Sequence, residues 1–175
     1  MALSARIAGW FERSIPLTRA AFARHTEARN IEDEGADALF PGARDPQAAL
    51  SGLMLLLGDW ERSHELSQDN PSREGSYWHA IAHRIEPDSS NAGYWFRRVG
   101  QHPIFGELHK RAARILERQT PGGWKLKSAW DPFLFISWCD EARLDPGSDR
   151  ELVTIAIQQA EWRLLFDWCA TVSSP

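Results

Sequence analysis

Long apolar runs are missing from this sequence. The longest is the five residues Leu53 to Leu57, far short of the roughly 20 apolar residues of a membrane span. The expectation is a chain with no membrane partner. Arg6 and Glu12 interrupt the apolar positions near the start, which argues against a secretory signal. Cysteine is scarce too. Cys139 and Cys169 each sit in an apolar helical pattern, so two buried thiols are expected rather than a disulfide, with a cytoplasmic address to match. No lysine/arginine block interrupts the net charge of −4, which removes the electrostatic footprint of nucleic-acid binding.

Several catalytic signatures are absent as well. There is no Gly-x-Ser-x-Gly elbow and no glycine-rich phosphate loop. Ser63, His64 and Glu65 are consecutive, so their side chains diverge on a helix and form no relay. Cys139 precedes Asp140 and Glu141, and carboxylates raise a thiol's pKa, which disfavours a cysteine nucleophile. No stretch alternates as a strand does between turn signals.

What remains is helix. Asp45-Pro46, Asp59, Ser72, Asp88, Asp131-Pro132 and Ser148 or Asp149 each combine a capping side chain with a following apolar period. They predict helices over about 46–57, 60–68, 75–85, 89–99, 104–118, 132–143 and 149–170. The fold class is all-α: a compact array of antiparallel helical hairpins, weakly repeat-like in its spacing of about thirty residues. Residues 1–38 read as an N-terminal helical extension packed on a main domain of 39–175. Within that extension, Leu3–Arg13 and Leu17–Ala28 are candidate helices, and Ile31–Ala38 reads as an acidic loop. Nine tryptophans are many for 175 residues. Each buried indole N–H needs an acceptor, so polar groups are expected among the rings.

The functional signal is concentrated between Gly75 and Phe105. Both tyrosines and three of the six histidines fall there. His79 and His83 are four residues apart and share a helix face, the spacing at which two imidazoles converge on one divalent metal ion. Ala80 stands where the metalloprotease motif has its glutamate, so that motif is absent. A third ligand must come from Glu86, His64, Glu65 or His102, and Glu86 completes the set on its own helix face. Around these, Trp78, Arg84, Asp88, Asn91, Tyr94, Trp95, Arg97 and Arg98 are candidate ligand-binding residues. The arginines suit a small anionic ligand and the rings suit pocket walls. Internal pairing of an arginine with Glu161 or Asp167, which interrupt an apolar stretch and are expected to be buried, competes with that role. The alternative reading is a helical-hairpin interaction module that presents an aromatic and arginine surface to another protein.

Three stretches carry a resemblance: Gly58-Asp-Trp-Glu-Arg-Ser-His64-Glu after Leu50-Ser-Gly-Leu; the long run from Gly75-Ser-Tyr-Trp-His79 through Asn91-Ala-Gly-Tyr-Trp-Phe-Arg-Arg to His102-Pro; and Glu161-Trp-Arg-Leu-Leu-Phe-Asp167. Over about residues 39–170 the chain resembles a set of uncharacterised helical proteins of bacteria and fungi. The resemblance implies a helical fold and supplies no catalytic residues.

Overall fold

The computed structural model describes residues 8–10, 13–118 and 123–172. Nine α-helices lie among them: α1 Ala28–Glu34, α2 Ala36–Leu39, α3 Pro46–Leu56, α4 Trp60–Asp69, α5 Arg73–Ile85, α6 Ser89–Val99, α7 Phe105–Arg118, α8 Pro132–Arg143 and α9 Asp149–Ala170. The only β feature among the described residues is a single bridge between Ala43 and Val172. The fold is all-α. No described helix is long and apolar enough to cross a membrane.

The capping residues explain where the helices begin. Asp45 Oδ1 accepts from Ala48 N at 2.9 Å, Ser72 Oγ from Gly75 N at 2.9 Å, and Asp88 Oδ1 from Asn91 N at 3.0 Å. Each satisfies an N–H that has no partner inside the helix, worth about 1 kcal/mol. Asp131 and Ser148 cap α8 and α9 in the same way.

Helix α3 is buried on every face from Ala48 to Leu56 and forms the centre. α4 folds back against it, α5 packs on α4, and α6 pairs with α5 as a second hairpin. The long α9 crosses α3, α7 and α8. Glycine fixes one of these crossings. A Cβ at Gly52 would lie 2.4 Å from the Trp78 ring, so the indole sits directly on the α3 backbone. Trp162 Nε1 then donates to Gly52 O at 2.8 Å. Other indoles find acceptors too: Trp60 on Ala82 O at 3.1 Å and Trp168 on Glu74 Oε1 at 2.9 Å. Cys139 and Cys169 are buried free thiols.

The N-terminal region departs from the expectation. Most of Leu3–Arg13 lies outside the described residues; Ala8–Trp10 is one 3₁₀ turn. Leu17–Ala28 is not a helix. It holds a 3₁₀ turn at Arg19–Ala21 and then extended chain. The reason is tertiary: His25 N donates to Leu57 O at 2.7 Å, Arg24 pairs with Asp59 at 2.5 Å, and Gln158 Nε2 donates to Ile15 O and Pro16 O. The expected acidic loop at 31–38 is instead the pair α1 and α2, broken at Gly35. Ile31, Ala36 and Leu39 are buried there while Asp33 and Glu34 face solvent. Ile15, Leu17, Ala28 and Ile31 belong to the same core cluster as the main helices.

Candidate metal centre

Helix α5 carries two polar sets on opposite faces. Tyr77 and Arg84, seven residues apart, face α9. His79 and His83 face α4 and α6.

The first set is closed to solvent, with Arg84 Nε and Nη1 left without a hydrogen-bond partner among the described residues. Arg84 Nη2 lies 2.5 Å from Glu161 Oε2, and neither side chain is exposed to solvent. Tyr77 OH donates to Glu161 Oε1 at 2.9 Å, and Arg84 also donates to Gln158 Oε1 at 3.3 Å. The guanidinium lies 4.6 Å from the Phe135 ring centroid. Burial pushes the Tyr77 hydroxyl well above its usual pKa, and the Glu161 carboxylate adds to the effect. Arg84 is therefore a core residue and not a ligand-binding one. Trp78 is likewise wholly buried against Gly52 and Trp162 and lines no pocket wall. Asp167, expected to be buried, is exposed and pairs with Arg163 at 2.9 Å along its own helix.

The second set is open in a specific sense. His64 from α4 joins His79 and His83, and one ring nitrogen from each lies within 4.8 Å of the others. His79 Nε2 and His83 Nε2 are 2.9 Å apart. Ser67 Oγ donates its one hydrogen to His64 O at 2.9 Å, so towards His79 Nδ1, 3.4 Å away, it acts as an acceptor. His79 Nδ1 thus carries the ring hydrogen. His83 Nδ1 lies 3.2 Å from Glu86 Oε2, a carboxylate that only accepts, with the Asn91 amide 3.5 Å away. His83 Nδ1 then carries its hydrogen as well. In that tautomer the two Nε2 lone pairs face each other at hydrogen-bond distance, placed to share a proton or a metal ion; with either hydrogen on Nε2 the contact is an N–H···N hydrogen bond.

Two of the imidazoles, His64 and His79, are held towards the neutral form. Burial lowers the His79 pKa to about 3, with the neighbouring charges of His64 and His83 adding to the shift and a bond to the His64 backbone opposing it. Burial also lowers the His64 pKa, reinforced by His83 and offset by Glu86. Rings fix the geometry. Trp60 stacks on His64 at 5.0 Å, and Trp95 lies 4.3 Å from His79. Arg19, over the Trp60 ring at 4.2 Å, bonds both Glu61 and Glu86.

The structure therefore rearranges the expected ligand set. His79 and His83 converge, but the third imidazole is His64, and Glu86 stands behind His83. Glu65 pairs with Arg62 at 3.0 Å in solvent. His102 lies elsewhere, its Nε2 3.5 Å from Glu74 Oε1. Asp88 is spent as the α6 cap. Of the remaining candidates, Asn91 and Trp95 border the cluster, and Tyr94 is 47% exposed beside Trp95. Arg97 and Arg98, adjacent in sequence, diverge. Arg97 borders a cavity of about 420 Å³ walled by Phe96, Phe105, Trp130 and Phe133. Arg98 lies 5.0 Å over the Trp95 ring. Comparison with known protein families, curated proteins and solved structures returned no match.

Proposed function

We propose that the protein binds one divalent transition-metal ion, zinc by ligand type, through His64, His79 and His83. The observation that carries this reading is the convergence of one ring nitrogen from each of His64, His79 and His83 within 4.8 Å of the others, two of them Nε2 atoms 2.9 Å apart. Two nitrogens bound at about 2.1 Å to one ion, at angles between right-angled and tetrahedral, stand about 3.0–3.4 Å apart. For the His79–His83 pair a shift of a few tenths of an ångström accommodates the ion, and His64, whose nitrogen lies within 4.8 Å of theirs, closes by up to about 1.4 Å. Glu86 behind His83 and Ser67 behind His79 are the acceptors that orient ligating imidazoles and raise their basicity. Three neutral ligands leave the ion its full double charge and leave a coordination position for water or substrate, the pattern of catalytic rather than structural zinc.

Cobalt(II) tests this directly. Titrated into metal-free protein, one equivalent should give the intense visible absorption of a four-coordinate centre, and zinc should displace it. His83→Ala and, should that variant misfold, His83→Asn should lose the spectrum. Cobalt that stays octahedral and aqueous in the presence of folded protein would show that the two imidazoles share a proton instead.

A further inference from the structure

The polar face of α5 continues beyond the histidines. Ser72, Ser76, His79 and His83 follow one face of α5 at helical spacing, and Asn91, Trp95 and Arg98 follow the facing side of α6. Ser76 lies about 5 Å and Ser72 about 10 Å along the α5 axis from His79. At that end a cavity of about 310 Å³ is lined by Pro71, Ser72, Arg73, Ser76 and Arg98. No carboxylate lines it. Arg98 has no hydrogen bond or ion pair among the described residues; its guanidinium rests on the Trp95 ring, whose centroid is 4.3 Å from that of His79. Arg73 bonds only the Gln101 carbonyl, at 3.2 Å. The nearest acids are engaged elsewhere. Asp45 lies behind Ser72 and is taken up by Asn70 and the α3 cap, and Glu74 turns to Trp168 and His102.

We infer that this cavity, about one to two helical turns along α5 from the histidine cluster, is an anion site that takes the phosphate of a small phosphomonoester whose other end reaches the ion. The inference rests on the metal reading for the second half only. Two guanidiniums without acidic partners match the charge of a phosphate dianion, and their forked donors match its oxygens. The first turn of α5 contributes backbone N–H groups of the same sign. Trp95 stands between the two sets, its ring 4.3 Å from the His79 imidazole and 5.0 Å from the Arg98 guanidinium. The phosphate is a handle here, held about one to two helical turns from the ion.

Calorimetric titration with inorganic phosphate, on metal-free and zinc-loaded protein, tests it. Wild type should bind phosphate saturably in both forms. Arg98→Gln should weaken binding at least roughly tenfold, the loss of one charge-assisted contact, with zinc stoichiometry unchanged. Arg73→Gln should behave alike. Arg97→Gln, whose side chain borders the other cavity, should bind as wild type. Phosphate binding without zinc uptake overturns the metal reading and leaves the anion site standing. Zinc uptake without phosphate binding, or equal binding by Arg98→Gln, overturns this inference. Co-sedimentation with phosphatidylcholine vesicles containing phosphatidic acid should be absent. Sedimentation with those vesicles but no response to soluble phosphate would assign the cavity to a lipid headgroup and overturn the small-molecule form.

Discussion

The two faces of α5 present the same kinds of side chain with opposite outcomes. On the α9 face, Tyr77, Arg84, Gln158 and Glu161 form a network in which the anion meets its cation and a phenol donor. On the α4/α6 face, three imidazoles meet with acceptors behind His79 and His83 and no anion between the converging ring nitrogens. Density does not distinguish these faces; the pairing of charge does. A buried cation that meets its anion marks a structural pair, and converging imidazoles with no counter-charge between them mark a site.

The closed face should show the largest response to mutation. Removing one partner of a buried ion pair strands the other, at about 3–5 kcal/mol. Glu161→Ala should therefore lower the melting temperature by many degrees, and Glu161→Gln by less. If instead Glu161→Ala melts within a degree of wild type, Arg84 has another partner and the face is not closed.

His102 sharpens the contrast, since it is a buried histidine outside the cluster, set against a carboxylate. Its Nδ1 accepts from Ile104 N at 3.3 Å and its Nε2 faces Glu74. The His102 contact, with the Trp168 indole, holds the Glu74 carboxyl down at about 2, against the opposing effect of burial. A carboxyl depressed in the folded state stabilises the protein above its unfolded pKa near 4.5, and that stability fades as pH falls towards 2. The loss is on the order of 3 kcal/mol. Acid unfolding of Glu74→Gln should lack this component, and an unchanged acid limb would separate Glu74 from His102.

A smaller effect is expected behind the open face. Glu86→Gln removes the acceptor at His83 Nδ1 and should weaken metal affinity about 10–100-fold with stoichiometry intact. An unchanged affinity would mean that Glu86 serves Arg19 alone. Least of all, Asp167→Asn breaks an exposed pair with Arg163 and should change stability by well under 1 kcal/mol.

The helices from residue 46 onward are legible because all but α7, which is marked by its apolar stripe, start at a side-chain cap that acts locally. The N-terminal segment is not, because its partners, Leu57, Asp59 and Gln158, are distant in sequence. At the site, the four-residue spacing of His79 and His83 brings them together as a helix must. His64 shows no such spacing and arrives only through the packing of α4 on α5. One signal pointed to it: His64 and Trp60 are four apart and stack, which aims the imidazole along the α4 face. The arginines disperse for the same geometric reason in reverse. Arg84, Arg97 and Arg98 cluster in sequence and separate in space, because five residues from Arg84 carry the chain into a new helix and consecutive helical residues point about 100° apart.

The most direct measurement is metal content. Protein expressed without an affinity tag, purified without chelator and analysed for elements should carry close to one equivalent of zinc or a related divalent ion. Stripped protein should recover one equivalent on titration, and neither His64→Ala nor His83→Ala should do so. A wild-type protein that is folded, leaves purification empty and takes up no zinc, cobalt, manganese or iron would contradict the account and leave the three histidines as a proton-sharing cluster.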